Sequence, residues 1–539
     1  MDTPFAITLD AGSSRANHTG SWRTERPAYV RHLPPCNGAC PAAEDVQGWL
    51  FHAEGGDYEA AWRAIKRDNP LPAVMGRVCY HPCESACNRG ALDEAVGINS
   101  VERFLGDLAI EKGWRIAVDA PPSRRRVLVV GAGPSGLSAA YHLRLMGHDV
   151  EVRDAAGAAG GMMRYGIPRY RLPRAVIDAE VGRIVDMGVV LRLGEGVTSI
   201  EEAMADGGFD AAFLAVGAGV GRRAYVPAAE AARIIDAVSF LHGMEGDDPP
   251  RIGRRVVVYG GGDTAVDAAR SARRLGAEPV IVYRRTRERM PAQDADVEEA
   301  LEEGVLTRWL STITHVAGGQ VTVERMELDE GGVPRPTGET ETLAADSVIL
   351  ALGQECDLSL VEGVEGIGVA DGVVRVGSDM MTGRPGVFAG GDMVPSERTV
   401  TAAVGHGRLA ARHVDAWLRG TVHTPPPRPP EAGADALETW YYEDAPRAVR
   451  PHLEAARRAS SFAEVVAGLD ESTALFEARR CLSCGNCFSC DNCYGVCPDN
   501  AVRKLPGGGY EIDLEYCKGC GICVQECPCG AMEMTTEPG

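Results

Sequence analysis

Strand-length apolar runs alternate with helix-periodic stretches through the middle of this 539-residue chain. Val127 to Val130 is a continuous apolar run of the kind a buried parallel strand needs. A glycine loop, an apolar-periodic helix and a second strand ending on Asp154 follow it. The succession repeats after Arg255, where VVVY leads through GGGDTA and a helix to VIVY. Runs at Phe209 to Val216 and Asp346 to Gly353 add strands, as does the start of residues 387–407, where a helix is expected near Thr401. A helix is also expected between Trp49 and Arg67, and residues 436–480 read as largely helical. The pattern predicts an α/β protein with two Rossmann-like nucleotide-binding domains, one inserted in the other. A helical N-terminal domain and a small α+β C-terminal domain flank them. The boundaries are 1–120 for the helical domain, 121–250 with 354–422 for the first nucleotide domain, and 251–353 for the second. Residues 423–480, opening on the proline-rich TPPPRPPE, form a linker and helical segment, and 481–539 the last domain.

The glycine loops carry the first chemistry. Gly131-x-Gly133-x-x-Gly136, with Pro134 and Ser135 inside it, joins strand to helix, and Asp154 stands eighteen residues past Gly136. Glycines let backbone approach a pyrophosphate, the helix N-terminus stabilises its charge, and the acid accepts from a ribose hydroxyl. In the second loop Gly260-x-Gly262-x-x-Ala265 encloses Asp263 and Thr264. Arg284 and Arg285 stand nineteen and twenty residues past Ala265, where the first unit has its acid. Arginine there suits a ribose 2′-phosphate, so NADP is expected, with NAD left open. The glycine turn at Gly161 and the basic loop with Arg164 are placed to face a flavin ring. Gly391, Asp392 and Thr401, at a strand end and a helix N-terminus, are expected on the flavin's ribityl chain and pyrimidine edge.

Cysteines add iron. Cys487-x2-Cys490-x2-Cys493-x3-Cys497-Pro is followed by Cys517-x2-Cys520-x2-Cys523-x3-Cys527-Pro, the two-cluster ferredoxin run. Cys487, Cys490, Cys493 and Cys527 are expected on one [4Fe–4S] cluster, and Cys517, Cys520, Cys523 and Cys497 on the other. Near the start, Cys36-x3-Cys40-Pro and Cys79-x3-Cys83-x3-Cys87 suit thiolate ligation, where spacing leaves zinc as an alternative to iron. Cys529 and the lone Cys356 read as inert thiols.

Charge narrows the partners. A net charge of −21 argues against nucleic acid and against anionic membrane, and suits solubility or docking to a basic patch on a protein. No apolar run approaches the ~20 residues of a membrane helix. MDTPFAITLD lacks signal-peptide features, the triplet Asn17-His18-Thr19 reads as a chance sequon, and a cytoplasmic location is expected. Seventeen cysteines then point to metal rather than disulfides.

The order CNGACP, GRVCYHPCESAC, GAGPSG, GGMMRYGIPRYRLP, GGGDTA, YRRTRERMP and AGGD resembles the glutamate synthase small (β) subunit family over roughly residues 36–420. That resemblance implies FAD at the first loop, NADPH at the second and iron–sulfur clusters in the N-terminal domain. The tail is similar to the electron-transfer part of 2-oxoacid oxidoreductases. The resemblance also implies a cluster on Cys40, Cys79 and Cys83 with Glu102 as a non-cysteine ligand. It leaves Cys36 and Cys87 without the family's usual preceding CxxC, which this chain lacks. Cys481 and Cys484, a CxxC without a partner nearby in sequence, are expected to replace it, giving one or two N-terminal clusters.

The function expected is an FAD- and iron–sulfur-dependent NAD(P)H oxidoreductase subunit, with no acid–base dyad, in a hetero-oligomer with a redox partner or ferredoxin. A 2-oxoacid oxidoreductase is the partner the tail suggests. The alternatives are a glutamate synthase small subunit, requiring another chain, and a stand-alone NAD(P)H:ferredoxin oxidoreductase.

Overall fold

The structure, a computed structural model, describes residues 18–222, 227, 233–246 and 248–537. Asn17 and the opening stretch examined for a signal peptide lie outside them.

The first nucleotide unit is a five-stranded parallel sheet. Its order is Val190–Leu193, Asp149–Asp154, Arg126–Val130, Ala211–Leu214, Val387–Ala389. The last strand arrives only after the whole second unit, so the second domain is inserted in the first. The second sheet runs Leu306–Arg308, Glu278–Val282, Arg255–Tyr259, Ser347–Leu350, Ile234–Asp236, also parallel. Its edge strand lies before residue 251. The second unit therefore starts earlier than the sequence boundary, with Ile234–Asp236 and the helix Ala237–Gly243. Three antiparallel strands, Ser311–Ala317, Gln320–Leu328 and Pro334–Ala344, form a separate small sheet in this unit.

The N-terminal domain is built from helices that include Val46–Glu54, Tyr58–Lys66, Pro72–Val78 and Ile98–Lys112. Asp45 and Asp57 cap the first two, accepting from Gly48 N and Ala60 N. Trp49, Leu50, Ile65 and Leu105 fill its core, and Leu469, Ala474 and Ala478 join them from far along the chain.

Residues 436–480 correct the helical expectation. Helix there is confined to Ala455–Arg458 and Glu471–Ala478, beside one short 3-10 turn. The rest is an extended strap whose polar groups are satisfied by other domains instead of by its own turns. Arg450 donates to the Gly76 carbonyl (3.1 Å), Val465 N to the Tyr170 carbonyl (2.9 Å), and Arg458 to Glu302 (2.6 Å). The chain ends meet as well. Glu25–Tyr29 pairs antiparallel with Met532–Thr536, so the N-terminal stretch supplies a strand to the C-terminal domain.

Candidate functional site

Both glycine loops open into one cleft of about 990 Å³. The two loops are built alike. Gly131 (φ +109°) and Gly260 (φ +150°) turn each strand end, and a Cβ on either would sit 2.3 or 2.2 Å from the carbonyl of Ala215 or Ala351 on the neighbouring strand. The second glycines instead face open space. A Cβ at Gly262 meets nothing within 4 Å, and one at Gly133 meets only Gly161 Cα at 3.9 Å. Backbone thus lies bare at the start of the helices Pro134–Leu145 and Asp263–Arg274, which is the cradle a pyrophosphate needs.

On the first side Asp154 lines the cleft and accepts from Ala132 N (2.6 Å) and Ala156 N (2.7 Å). Its carboxylate locks the loop and keeps lone pairs for a ribose hydroxyl. Gly391 and Asp392 face it from the returning strand. Burial pushes the Asp392 carboxyl up, opposed by the Arg398 guanidinium. Gly391 N donates to His406 Nδ1 (3.2 Å), which leaves the ring proton on Nε2.

On the second side Asp263 accepts from Tyr80 Oη (2.9 Å) and Gln293 N (3.0 Å), and Gln354 donates to Thr264 Oγ1 (2.9 Å). Arg284 and Arg285 line the cleft, and neither guanidinium has an ion-pair partner among the described residues. Arg287, two positions on, is held by Asp294 and Glu298. Two unpaired cations at this strand end suit a phosphate.

Behind the cleft lies a small cavity lined by Cys40, Cys79, Cys83 and Glu102. The helices Pro72–Val78 and Ile98–Lys112 position Cys79 and Glu102, and His81 N donates to Cys79 Sγ (3.2 Å). Burial pushes the Cys79 thiol up to about 12, with Glu102 adding to it, and raises Cys40 and Cys83. A metal must displace those protons. Glu102 accepts from Asn69 (2.9 Å), which also donates to Glu44.

In the last domain one hollow is lined by Cys497, Cys517, Cys520 and Cys523. Cys493 lies within electrostatic reach of Cys487, Cys490 and Cys527, and Cys490 within reach of Cys487 and Cys527. Each set draws its fourth member from the opposite run. Tyr29 hydrogen-bonds Cys493 Sγ (3.2 Å), and Ala501 N donates to Cys497 Sγ (3.2 Å). No group of His, Cys, Asp and Glu among the described residues surrounds a single-ion position. Sets of four thiolates, each completed by a cysteine from the opposite run, are what [4Fe–4S] cubanes take.

Four expected residues stand apart from the cleft. Arg164 is turned away, buried against Asp178 and donating to the Ala159 carbonyl (2.7 Å), because its own loop folds back on the helix Arg174–Asp186. Thr401 is buried with its hydroxyl on Met75 Sδ (3.6 Å), so it lines the cysteine cavity. The cap of its helix is Thr399, which accepts from Ala402 N and does line the cleft. Gly136 and Ala265 are packing positions: a Cβ on Gly136 would overlap the Gly131 carbonyl, and Ala265 is fully buried. Sequence reasoning missed Tyr80, Arg171 and Arg398, all lining the cleft. The tyrosine beside Cys79 was the one available signal.

Comparison with known proteins agrees with this layout. The model described as pyridine nucleotide-disulphide oxidoreductase matches residues 125–407. Dihydropyrimidine dehydrogenase domain II, 4Fe-4S cluster, matches 26–114, and a 4Fe-4S dicluster domain matches 486–531. The NADP(+)-dependent formate dehydrogenase subunit beta of Moorella thermoacetica is 34% identical over 84% of this chain and 70% of its own. The NADPH-Fe(3+) oxidoreductase subunit beta of Geobacter sulfurreducens is 32% identical over 84% and 75%. The NAD-dependent dihydropyrimidine dehydrogenase subunit PreT of Escherichia coli is 32% identical over 72% and 92%.

Proposed function

The chain belongs to the pyridine nucleotide-disulphide oxidoreductase family, and we propose that it is the subunit that exchanges electrons between NADP(H) and a protein redox partner. FAD, a nicotinamide nucleotide and [4Fe–4S] clusters in both terminal regions are its cofactors. A bound flavin would supply the change from two-electron to one-electron chemistry, taking one hydride from the nicotinamide and passing its two electrons on singly.

This chain's residues bind and orient. Gly131, Gly133, Pro134, Ser135 and Asp154 hold FAD, with Gly161, Gly391 and Asp392 around its far end. Gly260, Gly262, Asp263 and Thr264 hold the second nucleotide, and Arg284 and Arg285 its 2′-phosphate. The observation that carries the reading is the single cleft shared by both loops, with the cavity of Cys40, Cys79, Cys83 and Glu102 directly behind it. Val78 and Tyr80 wall the cleft while Cys79 between them faces the cavity. Three relatives named as subunits support a protein partner in a hetero-oligomer. No helix among the described residues is long and apolar enough to cross a membrane.

Anaerobic titration with NADPH tests this. Flavin absorbance should bleach first and cluster absorbance follow, with NADH needed at far higher concentration. A flavin that NADPH leaves oxidised overturns the reading.

A further inference from the structure

We propose that Cys36, Cys87, Cys481 and Cys484 of a single chain hold a further [4Fe–4S] cluster, the junction between the N-terminal cysteine cavity and the C-terminal pair. Its role rests on the electron-transfer reading above; its existence does not.

Neither half of this set is accounted for elsewhere. Cys481 and Cys484 fall between the matched segments 26–114 and 486–531. Cys36 and Cys87 lie outside the cavity of Cys40, Cys79 and Cys83. The fold brings the halves together within one chain. The Cys36 thiol is within electrostatic reach of Cys481, Cys87 and Cys484. Cys36, Cys87 and Cys481 pack on the same apolar core, and Cys484 is buried beside Leu482.

The backbone between them is fixed from both sides. Arg89, two residues after Cys87, donates to the Arg480 carbonyl (3.1 Å), while Arg480 donates to the carbonyls of Ala95 (3.2 Å) and Glu94 (2.6 Å). His32 N donates to the Gly485 carbonyl (3.1 Å), and Gly485 N to the Cys529 carbonyl (2.6 Å). Between the two thiols Ser483 takes φ +50°, a left-handed turn that a serine adopts at a cost, and its N–H faces Cys481 Sγ (3.5 Å). A surface CxxC without a ligand has no need of such restraint.

Spacing gives the cluster its place. Cys36 and Cys40, Cys83 and Cys87, Cys484 and Cys487, Cys493 and Cys497, and Cys523 and Cys527 are each three or four residues apart, and each pair divides between adjacent sites. Four residues span at most ~14 Å between Cα atoms, so every site neighbours the next along one line. Removing the proposed cluster would leave a gap in the middle of that line.

The full chain, purified anaerobically, should carry about sixteen irons and sixteen acid-labile sulfides, and native mass spectrometry should find four clusters. Twelve irons in the wild type, or zinc in place of the fourth cluster, overturns the proposal whether or not any variant folds. Cys481→Ser with Cys484→Ser should lose about four irons while keeping FAD and the remaining cluster EPR signals; an unchanged count sinks it. In that variant NADPH should still bleach the flavin, but the C-terminal clusters should take up electrons at least about tenfold more slowly, while dithionite reduces them normally. Wild-type rates there would remove the junction role. A flavin that fails to bleach would count against the functional reading instead.

Discussion

The Tyr80 hydroxyl donates to Asp263 Oδ2 at 2.9 Å, joining the cysteine loop of the N-terminal domain to the first turn of the second nucleotide-binding helix. Asp263 also accepts from Gln293 N, so one carboxylate ties three segments together at the cleft. Tyr80→Phe removes a charge-assisted bond of about 1 kcal/mol in a half-buried setting. The KM for NADPH should rise about fivefold with iron and FAD content unchanged. Steady-state kinetics beside cofactor analysis decides it, and an unaltered KM would mean the loop does not position the nucleotide.

Gly133→Val places a side chain where the protein leaves space and a pyrophosphate needs backbone. The nearest protein atom to a Cβ there is 3.9 Å away, so the variant should fold. It should purify without flavin absorbance but with its iron. Stoichiometric FAD in this variant would move the flavin from the first loop.

Arg284→Ala with Arg285→Ala should raise the KM for NADPH by about tenfold or more and leave that for NADH nearly unchanged. These guanidiniums have no ion pair to lose among the described residues, so the fold should not suffer. Equal treatment of both nucleotides by the wild type would end the 2′-phosphate assignment.

Cys529 has a role that the ferredoxin spacing leaves unassigned. Its sulfur stands 3.9 Å from Cys527 Sγ, and that contact, with backbone N–H groups, holds the Cys527 thiol below its usual range. A donor to a ligand sulfur stabilises the more negative, reduced cluster. Cys529→Ala should therefore lower the reduction potential of the neighbouring cluster by roughly 20–60 mV, the equivalent of one hydrogen bond. Redox-poised EPR measures it, and an unmoved midpoint rejects the contact.

His142 gives a pH dependence. It is buried on the fingerprint helix with Nε2 3.2 Å from the Asp68 carbonyl, so that nitrogen carries the proton and the ring is neutral. Burial, then Arg408, pushes its pKa down to about 3. The unfolded chain binds a proton below about 6.5 that the folded chain refuses. The stability from this group is thus fully present above pH 6.5 and is lost as pH falls toward 3. His142→Gln should flatten the stability profile between pH 6.5 and 5 by on the order of 1 kcal/mol per pH unit. Matching denaturant titrations at each pH test it, and parallel profiles would contradict it.

What the sequence disclosed was what short spacing encodes. The glycine loops act within a few residues, so their strand–loop–helix setting could be written down in advance. Arg164 was misplaced because its partner, Asp178, is an ordinary helix residue with no motif to mark it. Thr401 was expected at the helix N-terminus, but the cap is Thr399, and the two-residue step between them turns the helix by about 200°, which carries the Thr401 hydroxyl to the cysteine side. The strap at 436–480 misled because its polar groups are satisfied by other domains, Arg450 by the Gly76 carbonyl and Arg458 by Glu302, partners that no local pattern marks. Arg398 reaches the cleft through tertiary folding alone.

The pairing of Tyr29 with Met532 sets a clock on assembly. A ribosome adding about 5–20 residues per second needs roughly half a minute to under two minutes to travel between those positions. Throughout that interval the Glu25–Tyr29 strand is a lone edge, open to pairing with a neighbouring nascent chain. The hydroxyl that meets Cys493 is on that same strand. The surroundings of the C-terminal sites are therefore complete only once these two strands have met.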